Sequence, residues 1–321
     1  MKPNLWRAPF DLPLLGELSF PSYSTLLALG LLIAIVLSMR EAKRNAIDPN
    51  DFLDLNLWMI VWGLVGARVL HVIADGHFMD YVHMCTDPSR VPAIDPPVAH
   101  CTADAQCGDY FVCDEQKALC HPPRDCFVAL AIWRGGLAYY GGFIFAALYA
   151  VRFVRRRGMP FWRSFDLGAP YIAMGLFFGR MGCYLNGCCY GKVAASALGI
   201  VFPRHSEPWR HQLDAGLIDR HDAMLPVYPT QLWQALANLA TFVVLYYVVR
   251  RRKRFDGEVF AWLLILKAFT RSTIEIWRDD ERGVFFGGAV STSQLISIPL
   301  FVLALVLVTK LRARREAIAG Y

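Results

Sequence analysis

FDLGAPYIAMGLFFGRMGCYLNGCCYG, Phe165 to Gly191, is apolar for about 20 residues apart from Asp166 near its start and Arg180 near its end. It then crowds Cys183, Asn186, Cys188 and Cys189 into its last turns. At ~1.5 Å per residue such a run spans the ~30 Å hydrocarbon core of a bilayer. An arginine inside it costs at least ~2.5 kcal/mol on insertion scales, so Arg180 requires a partner or a purpose.

Runs of similar length lie at about 20–39, 55–74, 230–249 and 291–310. Two weaker ones, a Gly-rich run at about 136–151 and one at about 258–277 that carries Lys267, Arg271 and Glu275, bring the total to seven. The composition agrees: 55% hydrophobic and 13% aromatic residues in 321 is more apolar than a soluble domain of that size. The expected fold is an all-α integral membrane protein with seven transmembrane helices, forming one membrane domain over 1–321.

Basic residues cluster in four short segments: Arg40/Lys43/Arg44, Arg152 to Arg157 with Arg163, Arg250 to Arg254, and Lys310 to Arg315. Placing all four in the cytoplasm puts the N-terminus outside and the C-terminus inside. The net charge of +6 is then a topology signal, and no nucleic-acid partner is expected. Nothing near the N-terminus reads as a cleavable signal peptide.

Cysteine usage fits that orientation. Cys85, Cys101, Cys107, Cys113, Cys120 and Cys126 fall between the second and third spans, on the outer side, where disulfides persist. Residues 76–126 read as a disulfide-stapled extracytoplasmic insertion, with 15 possible pairings left open. A zinc knuckle is disfavoured because the segment lacks CxxC pairs. Residues 186–229 form a second extracytoplasmic segment, a head.

Polar residues inside the spans share one level. Arg68, His71 and Asp75 follow one helical face near the outer end of the second span; Gln231, Gln234 and Asn238 do so in the fifth, and Arg271, Glu275 and Arg278 in the sixth. Arg180 and Cys183 close the fourth span on that side, while Tyr23 and the Tyr139/Tyr140 pair open the first and third. Each stripe alone reads equally well as a helical ion pair or interfacial snorkelling. Together they describe a polar chamber near the outer leaflet with surplus positive charge, suited to an anionic lipid phosphate held by arginine forks. Ion transport would need polar residues continuing inward, where Lys267 is the clear candidate.

Five segments, WRGGLAYYGGFI (133–144), GRMGCYLNGCCYG (179–191), LGIVFP (198–203), YPTQLWQA (228–235) and the R-x-x-x-E-I-W-R-D run from Arg271 to Asp279, resemble the prolipoprotein diacylglyceryl transferase family in order and spacing. Gly66-Ala67-Arg68 and Tyr23 are similar to family positions as well. The resemblance spans nearly the whole chain except the cysteine-rich insertion. It implies an enzyme of the bacterial cytoplasmic membrane, active toward the outer leaflet, whose partners are phosphatidylglycerol and the lipobox peptides of prolipoproteins. It also implies transfer of the diacylglyceryl group to the lipobox cysteine, leaving a thioether and releasing glycerol 1-phosphate, without cofactor or metal. Carried over, the catalytic residues are Arg180 and Arg278 for the phosphate, Glu275 to orient an arginine, and Tyr140 as a hydrogen-bonding group. Tyr23, Arg68, Asn186, Gln231 and Arg271 join Arg180 and Arg278 in binding substrate.

The chain departs from the family pattern G-R-x-x-N-x-x-N-x-E, because Cys183 stands at the first Asn and Cys188 at the Glu; Gln234 stands where glutamate is common. Thiols do not replace an amide or a carboxylate in kind. A Cys183–Cys188 bridge pinning the turn is the expected use, a reactive thiol beside Arg180 the sharper one. Metal binding is disfavoured because no His or second Cys pair follows at ligand spacing. A non-catalytic phosphatidylglycerol- or lipoprotein-binding relative and a thiol-dependent membrane enzyme using Cys183, Cys188 and Cys189 are the rival functions.

Overall fold

The structure, a computed structural model, describes residues 4–12, 16–74, 78–91, 101, 107, 111–114, 119–132, 136, 138–279, 284–285 and 290–319. Asp75, Trp133, Arg134, Gly135 and Leu137, all within the sequence motifs above, lie outside them. The chain is mostly helical, and its contacts divide it into two units, residues 1–52 with 159–321 and residues 53–158.

Among the described residues, seven helical stretches run for 18 residues or more: α1 (Ser22–Arg44), α2 (Pro49–Ala74), α4 (Tyr139–Arg156), α5 (Phe161–Asn186), the stretch from Thr230 to Arg252, α9 (Glu258–Glu275) and α10 (Thr292–Ala319). Each predicted apolar run falls on one of them. Three, namely α1, α2 and Thr230–Arg252, are long and apolar enough by length and composition to cross a membrane. The reason α5 and α9 fall short is chemical, since Asp166, Arg180, Lys267 and Arg271 interrupt them. The Thr230–Arg252 stretch consists of α7 (Thr230–Val243), a π-helical segment Val244–Val249 and α8 (Arg250–Arg252).

The all-α expectation is corrected in one respect. Three two-stranded antiparallel hairpins accompany the helices: β1 (Asn4–Leu12) with β2 (Gly16–Pro21), β3 (Val112–Asp114) with β4 (Leu119–His121), and β5 (Val284–Phe285) with β6 (Val290–Ser291). They lie outside the predicted apolar runs or at their very edges, and β3 to β6, at two or three residues each, are too short to show a readable period.

In the larger unit, α1 packs along α5, and α5 packs against α7 and α9. Ala169 and Ala173 of α5 meet Leu245 of the π segment and Val259 and Leu263 of α9 in a buried core. One end of this bundle is tied by ions. Glu41 of α1 is buried and pairs with Arg250. Asp166 accepts from the Gly257 and Phe260 amides at 2.8 and 2.9 Å, satisfying free donors at the start of α9, and pairs with Lys253 at 3.0 Å. Beyond α5, residues around α6 (Glu207–Asp214) have their own core of Phe202, Trp209, Ile218, Met224 and Val227.

In the smaller unit, α2 and α4 touch backbone to backbone. A Cβ on Gly66 would stand 2.5 Å from Gly141 O, and one on Gly142 would stand 2.9 Å from Gly63 O. The paired glycines of α4 thus serve helix packing. The short α3 (Phe78–Thr86) follows α2. The six cysteines from Cys85 to Cys126 all pair, as Cys85–Cys126, Cys101–Cys113 and Cys107–Cys120. Cys101, Cys107 and Cys120 are the buried core around which Phe111 and Cys113 pack, so bridges stand where apolar side chains would otherwise be needed.

Candidate functional site

The end of α5 builds the site. The helix stops at Gly187, whose φ of 82° places it in the left-handed region that ends helices. The Gly187 and Cys188 amides both return to Cys183 O, at 2.9 and 3.1 Å, closing the last turn. Two residues on, Cys189 also has positive φ, 63°. A non-glycine residue there carries about 1–3 kcal/mol of backbone strain, held by surrounding structure. That hold is visible. Thr230 Oγ1 donates to Cys189 O at 3.0 Å, and Gln231 Nε2 donates to Cys188 O at 2.9 Å. Both side chains are fully buried at the start of α7.

These contacts bring three thiols together. The sulfurs of Cys183, Cys188 and Cys189 all lie within 4.8 Å of one another, and none is in a disulfide. The expected Cys183–Cys188 bridge is therefore corrected: the cap folds both residues toward a common point with Cys189 but leaves the sulfurs unbonded. Hydrogen bonds from the Cys183 and Cys188 thiols favour a thiolate at Cys189, against its burial, and the Arg180 and Arg278 charges add to that. Its pKa lies far below the usual thiol range. Cys188 is shifted the other way by its hydrogen bonds to the same neighbours and by burial.

Arg180 and Arg278 act on this cluster from the same unit. Glu275, in the last turn of α9, pairs with Arg271 at 2.9 Å and Arg278 at 3.8 Å. All three side chains are sheltered, with Arg278 only 2% exposed. A single carboxylate between two guanidinium groups leaves a net positive charge. Arg180 acts electrostatically on Cys189, on Lys267 and on Tyr23 at the start of α1, and Arg271 acts on Lys267 as well. Lys267 Nζ in turn donates to Asn238 Oδ1 at 2.6 Å. Tyr23 itself lies in the field of all three cysteines, and a Cβ on Gly182 would come within 3.1 Å of its Cα.

The structure thus gathers Tyr23, Arg180, Gln231, Arg271, Glu275 and Arg278 in one unit, with Asn186 as the last residue of α5. Gln234 and Asn238 are buried on the same face of α7 as Gln231. Arg68 and Tyr140 belong to the other unit. Arg68 is buried and donates to the carbonyls of Ala129, Gly136 and Val128 at 2.8, 3.1 and 2.6 Å, with its guanidinium over the Tyr81 ring. It ties Val128, Ala129 and Gly136 to α2. His71, one turn on, meets the same ring edge-on. Tyr140 sits half-buried in the first turn of α4 with its ring edge toward Tyr139.

One member has no counterpart among the sequence candidates: Thr230, beside Gln231, although a hydroxyl at a helix start is a ready backbone anchor. Cys189 is a sequence candidate through the thiol reading, but spacing alone does not show that Cys183 converges on it.

Comparison with known proteins supplies the remaining finding. A family model described as prolipoprotein diacylglyceryl transferase matches residues 10–96 and 110–310. The chain is 25% identical over 288 residues to a protein of Finegoldia magna, covering 90% of each, and 27% identical over 307 residues to one of Geobacillus kaustophilus, covering 96% of this chain and 94% of that protein. It is 34% identical over 197 residues to one of Allorhizobium ampelinum, covering 60% and 61%. Each of the three bears the name phosphatidylglycerol–prolipoprotein diacylglyceryl transferase.

Proposed function

The chain belongs to the prolipoprotein diacylglyceryl transferase family, and on that premise we propose that it carries the diacylglyceryl group of phosphatidylglycerol to the cysteine thiol of a prolipoprotein. The acceptor sulfur bonds to the terminal glyceryl carbon of the diacylglyceryl unit as the carbon–oxygen bond to phosphate breaks. Glycerol 1-phosphate leaves with the electron pair, the thiol proton goes to a base or to water, and a thioether remains.

The proposal includes placement in the bacterial cytoplasmic membrane. Seven helices cross it, the N-terminus lies outside and the site faces the outer leaflet. The seven long helical stretches and the basic residues flanking four of their ends support this arrangement. Residues 76–126 and 186–229 are then both extracytoplasmic, which accords with three disulfides in the first.

The observation that carries the reading is a pair of guanidinium groups, the half-buried Arg180 and the buried Arg278, acting on one point at Cys189, with Arg278 braced by Glu275. Positive charge held away from water binds phosphate and stabilises the charge that grows on it as the bond breaks. Arg271 shares Glu275 and keeps that carboxylate from neutralising Arg278 fully. Tyr23, Asn186 and Gln231 border the headgroup region.

The test is direct. Purified chain in detergent, given phosphatidylglycerol and a peptide with the precursor's cysteine, should add one diacylglyceryl mass to the peptide. Arg180→Ala and Arg278→Ala should each lower the rate about 10²–10³-fold. An unmodified peptide with the intact chain would refute the reading.

A further inference from the structure

Nine cysteines in one chain meet two different fates. Six are bridged; Cys183, Cys188 and Cys189 stay as thiols although their sulfurs lie within 4.8 Å of one another. We propose that these three cysteines form a site for a divalent cation of the zinc class, open at its fourth position to the thiol of the acceptor substrate.

Three features of the site support a metal over a bridge. The first is spacing. Three sulfurs at the ~2.3 Å zinc–sulfur distance of a tetrahedral site stand about 3.8 Å apart, within the spread observed here. The second is a rigid frame. Cys183 is fixed in the last turn of α5 and its carbonyl takes the Cys188 amide, while Thr230 and Gln231 anchor the carbonyls of Cys189 and Cys188. The left-handed backbone of Cys189 turns its side chain toward the other two, and metal ligands are held by such outer contacts. The third is charge. Three thiolates around a divalent cation carry one net negative charge, and Arg180 and Arg278 supply the opposing field.

A metal also accounts for the thiols remaining unpaired. Once coordinated, a thiolate is protected from pairing with its neighbour.

Three protein ligands leave a tetrahedral ion one position short, as in catalytic zinc sites. The acceptor half of the inference rests on the transferase reading above. On taking that position the acceptor thiol would give its proton to water, and the thiolate would form the sulfur–carbon bond as the carbon–oxygen bond to phosphate breaks and glycerol 1-phosphate leaves with the electron pair. No oxidant or reductant enters. Cys183 and Cys188 thereby do by coordination what the amide and carboxylate usual at these positions would not do in the same way.

The probe is cobalt(II) added to the reduced, full-length chain in detergent. Thiolate-to-cobalt charge-transfer absorption and the visible bands of a tetrahedral ion should appear stoichiometrically, and each of Cys183→Ser, Cys188→Ser and Cys189→Ser should lose or strongly weaken them. Thr230→Val, which removes only the anchor on Cys189 O, should weaken cobalt binding about 10-fold. A cysteine-containing acceptor peptide should shift the bands, and the same peptide with serine should not. Absence of the bands overturns the site, as does finding one alkylatable cysteine instead of three in the unreduced, unfolded chain. Bands indifferent to the peptide overturn the acceptor half. Transfer measured in parallel separates the two readings: bands without any transfer leave a metal site and remove its substrate, while transfer without bands leaves the function and removes the metal.

Discussion

Gly191 and Arg278 face each other across an isolated antiparallel backbone bridge. The Lys192 amide beside it donates to Trp277 O at 2.9 Å, and the Gly191 amide donates to Tyr228 O at 2.9 Å. The turn leaving α5, the start of α7 and the end of α9 are thus locked by main-chain bonds, and Arg278 is aimed by that lock.

A side chain at position 191 breaks it. A Cβ there would collide with Trp277 O and come within 2.9 Å of Tyr228 O, and backbone oxygens yield little. Gly191→Ala should displace Arg278 by a fraction of an ångström to an ångström, and misplacement on that scale costs about 10²-fold in rate. The transfer assay should show that loss with a smaller change in thermal unfolding. Full activity in the alanine variant would mean that the bridge does not position the arginine.

Glu275→Gln preserves shape and removes the charge shared by Arg271 and Arg278 at 2.9 and 3.8 Å. Leaving sheltered guanidinium groups without their carboxylate costs about 3–5 kcal/mol. The variant should unfold at a markedly lower temperature in detergent. Millimolar glycerol 1-phosphate should restore part of the loss in the variant more than in the parent, because the anion replaces the missing charge. Equal unfolding temperatures would refute the pairing.

The seven apolar runs were legible because length and hydropathy are local properties, and so was the place of Arg180, Gln231, Arg271 and Arg278 near the ends of their helices, because position along a run is local too. The shared Glu275 was half legible: an i,i+4 pair with Arg271 follows from periodicity, whereas a 3.8 Å approach to Arg278 depends on how the chain leaves α9. Arg68 looked like its companions in sequence, yet its guanidinium donates to three backbone carbonyls of a later loop, a long-range fact with no local signature. Nor does any spacing rule foretell a left-handed Cys189, since that residue is held in place by Thr230, 41 positions away.

Lys253, beyond the apolar part of its helix, gives a pH dependence. Burial disfavours its charge, but Asp256 at 2.7 Å and Asp166 at 3.0 Å outweigh that and raise its pKa above the ordinary 10.5. The folded chain holds this proton more tightly than the unfolded one, so the contribution is complete below about pH 10.5 and fades as pH rises through the raised value. Parent chain should exceed Lys253→Gln in unfolding temperature at pH 8 to 10, and the gap should close at higher pH. A gap independent of pH would assign the difference to lost packing.

Glycines at α2 and α5 should respond in opposite directions to the same change. A Cβ at Gly66 would meet Gly141 O and the Phe145 side chain, each at 2.5 Å, so Gly66→Ala must push α2 and α4 apart. Overpacking of this kind costs about 1–3 kcal/mol. Gly168 lies within α5 with nothing within 4 Å of a built Cβ, so Gly168→Ala adds helix propensity without a clash, a gain of up to about 1 kcal/mol. Thermal unfolding in detergent should fall for the first and hold or rise for the second. If Gly66→Ala unfolded no earlier than the parent, the α2–α4 backbone contact would not be what holds the smaller unit together, and the glycines there would need another explanation.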